Sequence, residues 1–293
     1  MPYRSGFRAD LFRGQTILVT GGGGGLGRCI AHELAALGAR LVLVGRTKEK
    51  LDQVCREITE DGGEVAGTCS GDLRDEDLVV ATVRDILAEH GQLHGLVNAT
   101  GGQFPAELKD LSLNAWNAVI NNNLTSYFLV SREVFRQCFE QSGGNIVHIG
   151  ADYDRGMPGM GHNGAARAGL SNLTRTSAIE WAPAGVRVNC VIPGYIGTTG
   201  LDRYPESNWD SLKSVVDEAP IARHGKSAEV SAAVVFLMSE LASYITGIDL
   251  LVDGGMRLGS GNILFRPENR RVMPAFNGFH RDETARLLDT ETD

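Results

Sequence analysis

Short apolar runs and amphipathic stretches alternate along the chain from residue 15 to about 254. Seven runs read as strands: Thr16–Thr20, Arg40–Val44, Glu64–Cys69, Gly95–Asn98, Asn145–Ile149, Val186–Ile192 and Asp249–Val252. Most are nearly continuous in apolar residues rather than alternating, as in parallel strands covered on both faces. Between them apolar positions step by three and four, as Ile30, Leu34 and Leu37 do, and Leu51, Val54 and Ile58. Such spacing lays an apolar stripe along a helix. The alternation predicts an α/β fold, a single Rossmann-type doubly wound parallel sheet of about seven strands with right-handed crossovers. The rhythm breaks at 198–222, where Tyr204, Trp209 and two prolines follow the sixth strand. A segment there predicts a substrate lid with an apolar wall. From Arg257 the composition shifts again, with Arg266, Arg270, Arg271, Arg281 and Arg286 among scattered acids. We therefore expect a domain over 12–255 and an extension over 256–293. The extension lies over the domain or a neighbouring subunit, with partial disorder as the rival reading.

Composition narrows the function classes. A chain of 293 residues with 42% hydrophobic and 22% charged residues is long enough to bury a substantial core. The net charge of −8 argues against nucleic acid as a partner, because phosphate binding needs a concentrated basic face. No apolar stretch approaches the ~18 residues of a membrane span, so no membrane partner is expected. The first residues lack the apolar run of a secretory signal, and the final Glu-Thr-Asp is not a peroxisomal address. A cytoplasmic location is the expectation. Cys29, Cys55, Cys69, Cys138 and Cys190 are scattered without a C-x-x-C pair, which predicts reduced thiols and no metal site.

The string Thr20-Gly21-Gly22-Gly23-Gly24-Gly25-Leu26-Gly27 follows a strand and opens a helix. In that context Gly21 makes the turn, Gly25 admits a pyrophosphate and Gly27 allows close helix–strand packing. The helix start then offers free N–H groups to the phosphates. About 20 residues further on, where an NAD site carries an acid for the ribose 2′-hydroxyl, stand Gly45 and Arg46. An arginine beside a missing acid suits a 2′-phosphate, so NADPH is favoured over NAD. Lys48 and Lys50 fit a solvated basic helix start.

These blocks resemble the classical short-chain dehydrogenases/reductases over residues 12 to 255. Gly71-Asp72-Leu73 is similar to that family's adenine-contacting segment, and Asn98-Ala99-Thr100-Gly101 to its Asn-Asn-Ala-Gly. Asn123-Leu124-Thr125 matches the helix asparagine, Pro193-Gly194 with Thr198 the segment bordering the nicotinamide, and Asp253-Gly254-Gly255 the last strand's end. The resemblance implies cofactor contacts at Gly21, Gly25, Leu26, Gly27, Asp72, Leu73, Asn98, Pro193, Gly194 and Thr198, and a homo-oligomer, tetramer or dimer, built on the helices before strands five and six. Two sub-groups are closer. Gly101-Gly102-Gln103-Phe104, His162 to Gly169 and Glu180-Trp181-Ala182 resemble trans-2-enoyl-CoA reductases. Met1 to Ser5, Asp10 to Gly14 and Gly156 to His162 resemble citronellol/citronellal dehydrogenase-like proteins.

One place departs from the family. Where its members usually carry Tyr-x-x-x-Lys, the chain has Asn163 and Arg167. The usual tyrosine protonates a carbonyl oxygen, whereas asparagine has no titratable proton and arginine keeps its charge. The serine usually found after the fifth strand falls near Gly150 or Ala151. Reducing a double bond conjugated to a carbonyl is less damaged by that loss. Hydride goes to the β-carbon, and the enolate oxygen needs hydrogen-bond donors more than an acid. The sequence offers Tyr153 just past the fifth strand, matched to a tyrosine of 2,4-dienoyl-CoA reductases, with Gln103 matched to an amide there. These two are expected to bind the substrate carbonyl, with a surface-loop role for Tyr153 as the alternative. Asn163 is a further amide donor, and Arg167 is expected to bind the nicotinamide ribose and keep a positive field. Asn123 completes the candidate catalytic set, and His162 is either an acid or structural. The leading expectation is an NADPH-dependent reductase of an α,β-unsaturated acyl-CoA or related conjugated carbonyl. A terpenoid alcohol/aldehyde dehydrogenase and a catalytically silent nucleotide-binding homologue are the alternatives.

Overall fold

A computed structural model describes residues 2–258 and 273–288. Its strands are β1 (Thr16–Thr20), β2 (Arg40–Gly45), β3 (Glu64–Ser70), β4 (Gly95–Asn98), β5 (Gly144–Ile149), β6 (Val186–Pro193) and β7 (Asp249–Val252). Helices α1 (Gly25–Ala36), α2 (Lys48–Glu60), α3 (Glu76–His90), α4 (Leu113–Ile120), α5 (Ser126–Val134), α6 (Glu140–Ser142), α7 (Gly161–Trp181), α8 (Trp209–Ser214) and α9 (Ser227–Met238) lie between them. All strand pairs are parallel, in the order β3-β2-β1-β4-β5-β6-β7. This is the doubly wound sheet that the apolar runs predict.

Side-chain alternation explains the two covered faces. Ile17 and Val19 of β1 pack with Leu41, Leu43, Leu34 and Val234 on the side of α1 and α9. Leu18, between them, packs with Val42, Leu96, Val83 and Val130 on the side of α3 and α5. Central strands therefore have no solvent face and no polar alternation. Edge strand β3 keeps the alternating exposure of a half-covered strand.

Strand order reverses between β1 and β4, and a doubly wound sheet opens its ligand crevice at the carboxyl ends beside such a switch. Two features shape that crevice. Between α4 and α5 the backbone takes a π-helical turn over Asn121–Thr125, which turns Asn123 inward with no exposure. After β6 the chain runs through short 3₁₀ turns, α8 and Val215–Glu218 before α9. These elements fall within the span 198–222 read as a lid, and Leu201, Tyr204, Leu212 and Val215 of it line the crevice. Of the predicted extension, Met273 to Leu288 are described, with Phe279 and Glu283 against α1, whereas Arg266, Arg270 and Arg271 lie outside the described residues. Among the described residues no helix is long and apolar enough to cross a membrane, and no group of three or more His, Cys, Asp or Glu could hold a metal.

Candidate active site

The crevice is a cavity of about 900 Å³ running from Arg46, Lys50 and Asp72, past the glycine turn, to Met157, Met160 and Leu212 under the lid. At its centre two glycines hold the turn against the sheet. Gly21 has φ +70, and a Cβ there would sit 2.6 Å from the Ala99 carbonyl oxygen. A Cβ on Gly27 would collide with the Gly21 carbonyl. The cradle is thus shaped for a backbone-hugging ligand, and Gly25 and Leu26 line it at the helix start, where free N–H groups favour an anion.

At the far end Gly45, Arg46, Thr47 and Lys50 share the cavity wall with Asp72, Leu73 and Arg74. Lys48 pairs with Asp52 at 2.7 Å, while Lys50 faces the cavity. Arg74 grips the Asp72 carboxylate from Nε at 2.8 and 3.0 Å. Its guanidinium, and more weakly Arg46, hold that carboxyl down to about 2. Asp72 therefore presents a permanent anion, suited to accepting from an adenine amino group. No motif in the sequence singles out Arg74, whose one signal is its place two residues after Asp72.

Pro193, Gly194 and Thr198 line the opposite wall, as do Ala99, Thr100 and Gly101. Asn98 does not line the cavity. Its side chain accepts from Thr20 Oγ1 at 3.2 Å and donates to Ser131 Oγ at 3.0 Å, lying 3.3 Å from His148 Nδ1. The asparagine knits β1, β4 and β5 together just before the loop of Ala99, Thr100 and Gly101.

The substituted pair divides in two. Arg167 lines the cavity although only 5% exposed. Its Nη1 donates to the Ile149 carbonyl at 3.0 Å, its guanidinium lies 5.5 Å over the Tyr127 ring, and Nε has no partner. Among the described residues no carboxylate pairs with it. Nη2 points past Gly101, where a Cβ would come within 2.9 Å. Tyr127, fully buried, donates to the Thr100 carbonyl and, at 3.1 Å, approaches Ile149 O. Burial pushes its phenol up, so it stays a donor. Burial, then the Arg167 charge, pushes His148 down to about 3 and keeps that imidazole neutral. Tyr127 was hidden in the sequence inside an apolar helix pattern.

Asn163 stands behind the wall instead of in it. Its Oδ1 accepts from Asn123 Nδ2 at 2.8 Å, and its Nδ2 faces Met157 Sδ at 3.7 Å. Asn123 also accepts from Gly102 N and donates to Gly102 O, each at 3.1 Å. The two amides fix the loop carrying Gly102 and Gln103, which corrects the expectation that Asn163 meets substrate directly. His162 is equally buried, packed edge-on against Phe104 at 4.9 Å.

The expected convergence of Tyr153 and Gln103 is also corrected. The Tyr153 hydroxyl turns out of the cavity to Asp249 Oδ2 at 3.4 Å, with Arg257 5.8 Å over its ring. Gln103 does line the cavity, and its Nε2 donates to the hydroxyl of Tyr204, on the lid, at 3.2 Å. Neither Gly150 nor Ala151, also on the wall, brings a hydroxyl. Arg167, Gln103 and Tyr204 thus line this end of the cavity together with Asp152, Arg155, Thr199 and Arg203, among the apolar Met157, Met160, Leu201, Leu212 and Val215.

This fold and glycine cradle agree with sequence comparison. A family model described as enoyl-(acyl carrier protein) reductase matches residues 21–257, and the chain belongs to the short-chain dehydrogenases/reductases, an oxidoreductase family that binds a nicotinamide cofactor. It is 35% identical over 258 residues to a peroxisomal 2,4-dienoyl-CoA reductase [(3E)-enoyl-CoA-producing] of Danio rerio, covering 87% of this chain and 86% of that one. It is similar to the structure of a citronellol catabolism dehydrogenase from Pseudomonas aeruginosa PAO1, with TM-score 0.78 and 49% identity over 87% of this chain and 99% of the other. A structure from Beutenbergia cavernae, assigned as an NAD(P)-dependent gluconate 5-dehydrogenase with NADP bound at low occupancy, matches with TM-score 0.79 and 30% identity, covering 86% of this chain and all of that one.

Proposed function

We propose that the chain is an NADPH-dependent reductase of carbon–carbon double bonds conjugated to a carbonyl, with an unsaturated acyl-CoA as its substrate class. The observation that carries this reading is the buried, carboxylate-free cation of Arg167 at a site with no phenol–ammonium pair. Such a site stabilises charge on an oxygen but lacks the lysine that would help a phenol deliver a proton to it. The nicotinamide, when bound, supplies the hydride. Electrons of the double bond then collect as an enolate on the carbonyl oxygen, and a proton from solvent adds to carbon. Arg167 Nη2 and the Gln103 amide, steadied by Tyr204, are the donors available to that oxygen. The same guanidinium serves the nicotinamide ribose hydroxyls. Arg46, with Lys50, is assigned to the 2′-phosphate, since the wall there holds no acid at Gly45. The dienoyl-CoA reductase relatives act on a substrate of this class.

A second reading, a dehydrogenase of terpenoid alcohols or aldehydes, is favoured by the likeness to the citronellol catabolism dehydrogenase. We further infer a homo-oligomer packed on α5 and α7, where Phe128 and Ile179 are exposed. The two substrate readings separate in an assay of NADPH oxidation. Trans-2-enoyl-CoAs, 2,4-dienoyl-CoAs, citral and citronellal are supplied in turn, with NADPH binding measured alongside. Thioester-dependent oxidation is the expected result. Turnover of saturated citronellal would replace the first reading by the second, and binding without turnover of any substrate would leave a silent homologue.

A further inference from the structure

The C-terminal segment lies outside the matched family span, which ends at residue 257, yet Phe279, Asp282 and Glu283 line the dinucleotide cavity. On one side the segment is pegged to the helix that opens at the glycine turn. Phe279, 3% exposed, packs with Tyr3, Cys29 and Ala228, and lies 4.9 Å from the His32 ring. Arg28 of α1, held by Glu57 at 2.8 and 3.0 Å, reaches Glu283 at 2.8 Å. Asp282 accepts from Ser227, at the start of α9, at 3.2 Å. On the other side the segment joins the lid. Thr284 bridges Thr198 in antiparallel fashion, Ala285 N donates to Gly197 O at 3.4 Å, and Arg286 N donates to Asp202 at 2.9 Å. Ala285 and Leu287 are buried there, and the Arg286 guanidinium covers Trp209 at 5.9 Å.

We propose that residues 279–287 form the outer wall of the nicotinamide dinucleotide site, a bar joining α1 to the substrate lid that must detach for the cofactor to exchange. Three observations point this way together. The bar spans the same cavity that the glycine turn opens. Its ends are buried apolar pegs, while between them the Asp282 side chain, 8% exposed, lies against Ser227 and Lys226 and Glu283 keeps 60% side-chain exposure. The half-exposed Glu283–Arg28 pair adds little, so the pegs set how readily the bar detaches. And Glu283 occupies Arg28, a cation that lines the cavity, so the bar and an anionic ligand compete for the same charge. The inference rests on the family's cofactor class and is independent of the substrate reduced.

Stopped-flow displacement of bound NADPH reads the dissociation rate directly. Replacing both pegs, Phe279→Ala with Leu287→Ala, is expected to raise that rate at least tenfold, read at a temperature where the variant stays folded, since truncating two buried side chains also lowers stability. Glu283→Arg, which repels Arg28 and leaves the pegs intact, is expected to raise it several-fold. A rate within twofold of wild type in the peg variant, when its 279–287 amides have lost hydrogen-exchange protection, overturns the proposal. Should the peg variant not fold, wild-type exchange decides: NADPH should slow the amides of 284–286 at least tenfold, and no slowing overturns it. Parallel runs with NADH separate a cofactor preference from a failure of the bar.

Discussion

Replacing Arg167 by methionine sets stability against activity in one substitution. The guanidinium is 5% exposed, has no carboxylate partner among the described residues, and leaves Nε unsatisfied. Burying an unpaired cation costs several kcal/mol. Against that cost stand one charged hydrogen bond to Ile149 O, worth about 1.5–3 kcal/mol, and the Tyr127 ring, worth up to about 2 kcal/mol. The terms nearly cancel, so Arg167→Met should leave unfolding free energy within about 2 kcal/mol of wild type, or raise it. On the proposed reading, the same change removes the buried positive charge assigned to the substrate carbonyl. Loss of one preorganised oxyanion donor costs about 100- to 1,000-fold in kcat. Urea unfolding and NADPH oxidation with a trans-2-enoyl-CoA check both halves on one preparation. Arg167→Lys, which keeps the charge but not the planar fork, should recover a substantial part of the rate. A methionine variant destabilised by several kcal/mol, yet turning over normally while folded, would refute the reasoning and make Arg167 a structural residue.

Three further outcomes follow from the geometry. Arg46→Ala should raise the KM for NADPH about 10- to 100-fold, the worth of one or two charge-assisted bonds, while leaving the KM for NADH nearly unchanged; equal effects on both cofactors would exclude a 2′-phosphate contact. Tyr153→Phe should keep kcat within about twofold, at the small net cost of one weak hydrogen bond, because the hydroxyl faces Asp249 outside the cavity; a large loss of turnover would return Tyr153 to the site. Stability should fall with pH below about 6.5. Burial holds the native His32 imidazole down to about 4 and His148 to about 3, so over that window the unfolded chain binds protons the native chain does not. Each contributes up to about 1.4 kcal/mol per pH unit, and Glu57, held at about 2 chiefly by Arg28 against its own burial, adds loss of the same sign at lower pH. Urea midpoints that do not move between pH 7 and 5 would contradict this assignment.

The sheet was legible because its physics is local. Central strands buried on both faces must be continuously apolar, and the β1 run that shows this forms over the span read, paired with β2 from Thr16 and Arg40 through Thr20 and Val44. The glycine turn was legible for a similar reason, since a side chain at Gly21 or Gly27 meets backbone and no other residue fits. The reaction end was less so. Residue type at 163 and 167 announces that the usual proton donor is gone, but whether a side chain looks into the cavity depends on loop direction and on partners far away in sequence. Tyr153 is drawn outward by Asp249, and Asn163 is claimed by Asn123. Tyr127 reads as one more apolar helix position until Arg167 is seen against its ring. The C-terminal bar carries no periodic pattern at all. Its role depends on Phe279 finding a pocket made by Tyr3, Cys29 and Ala228, from both ends of the chain.

The central claim, that hydride enters a conjugated carbon chain and not a carbonyl carbon, is tested most directly by following the hydride itself. Deuterium-labelled NADPH is incubated with the protein and trans-2-octenoyl-CoA or citral, and the products are read by mass spectrometry and NMR. The account predicts one deuterium on the β-carbon of a product whose carbonyl is intact. Deuterium on the carbonyl carbon of an unsaturated alcohol formed from citral would contradict it.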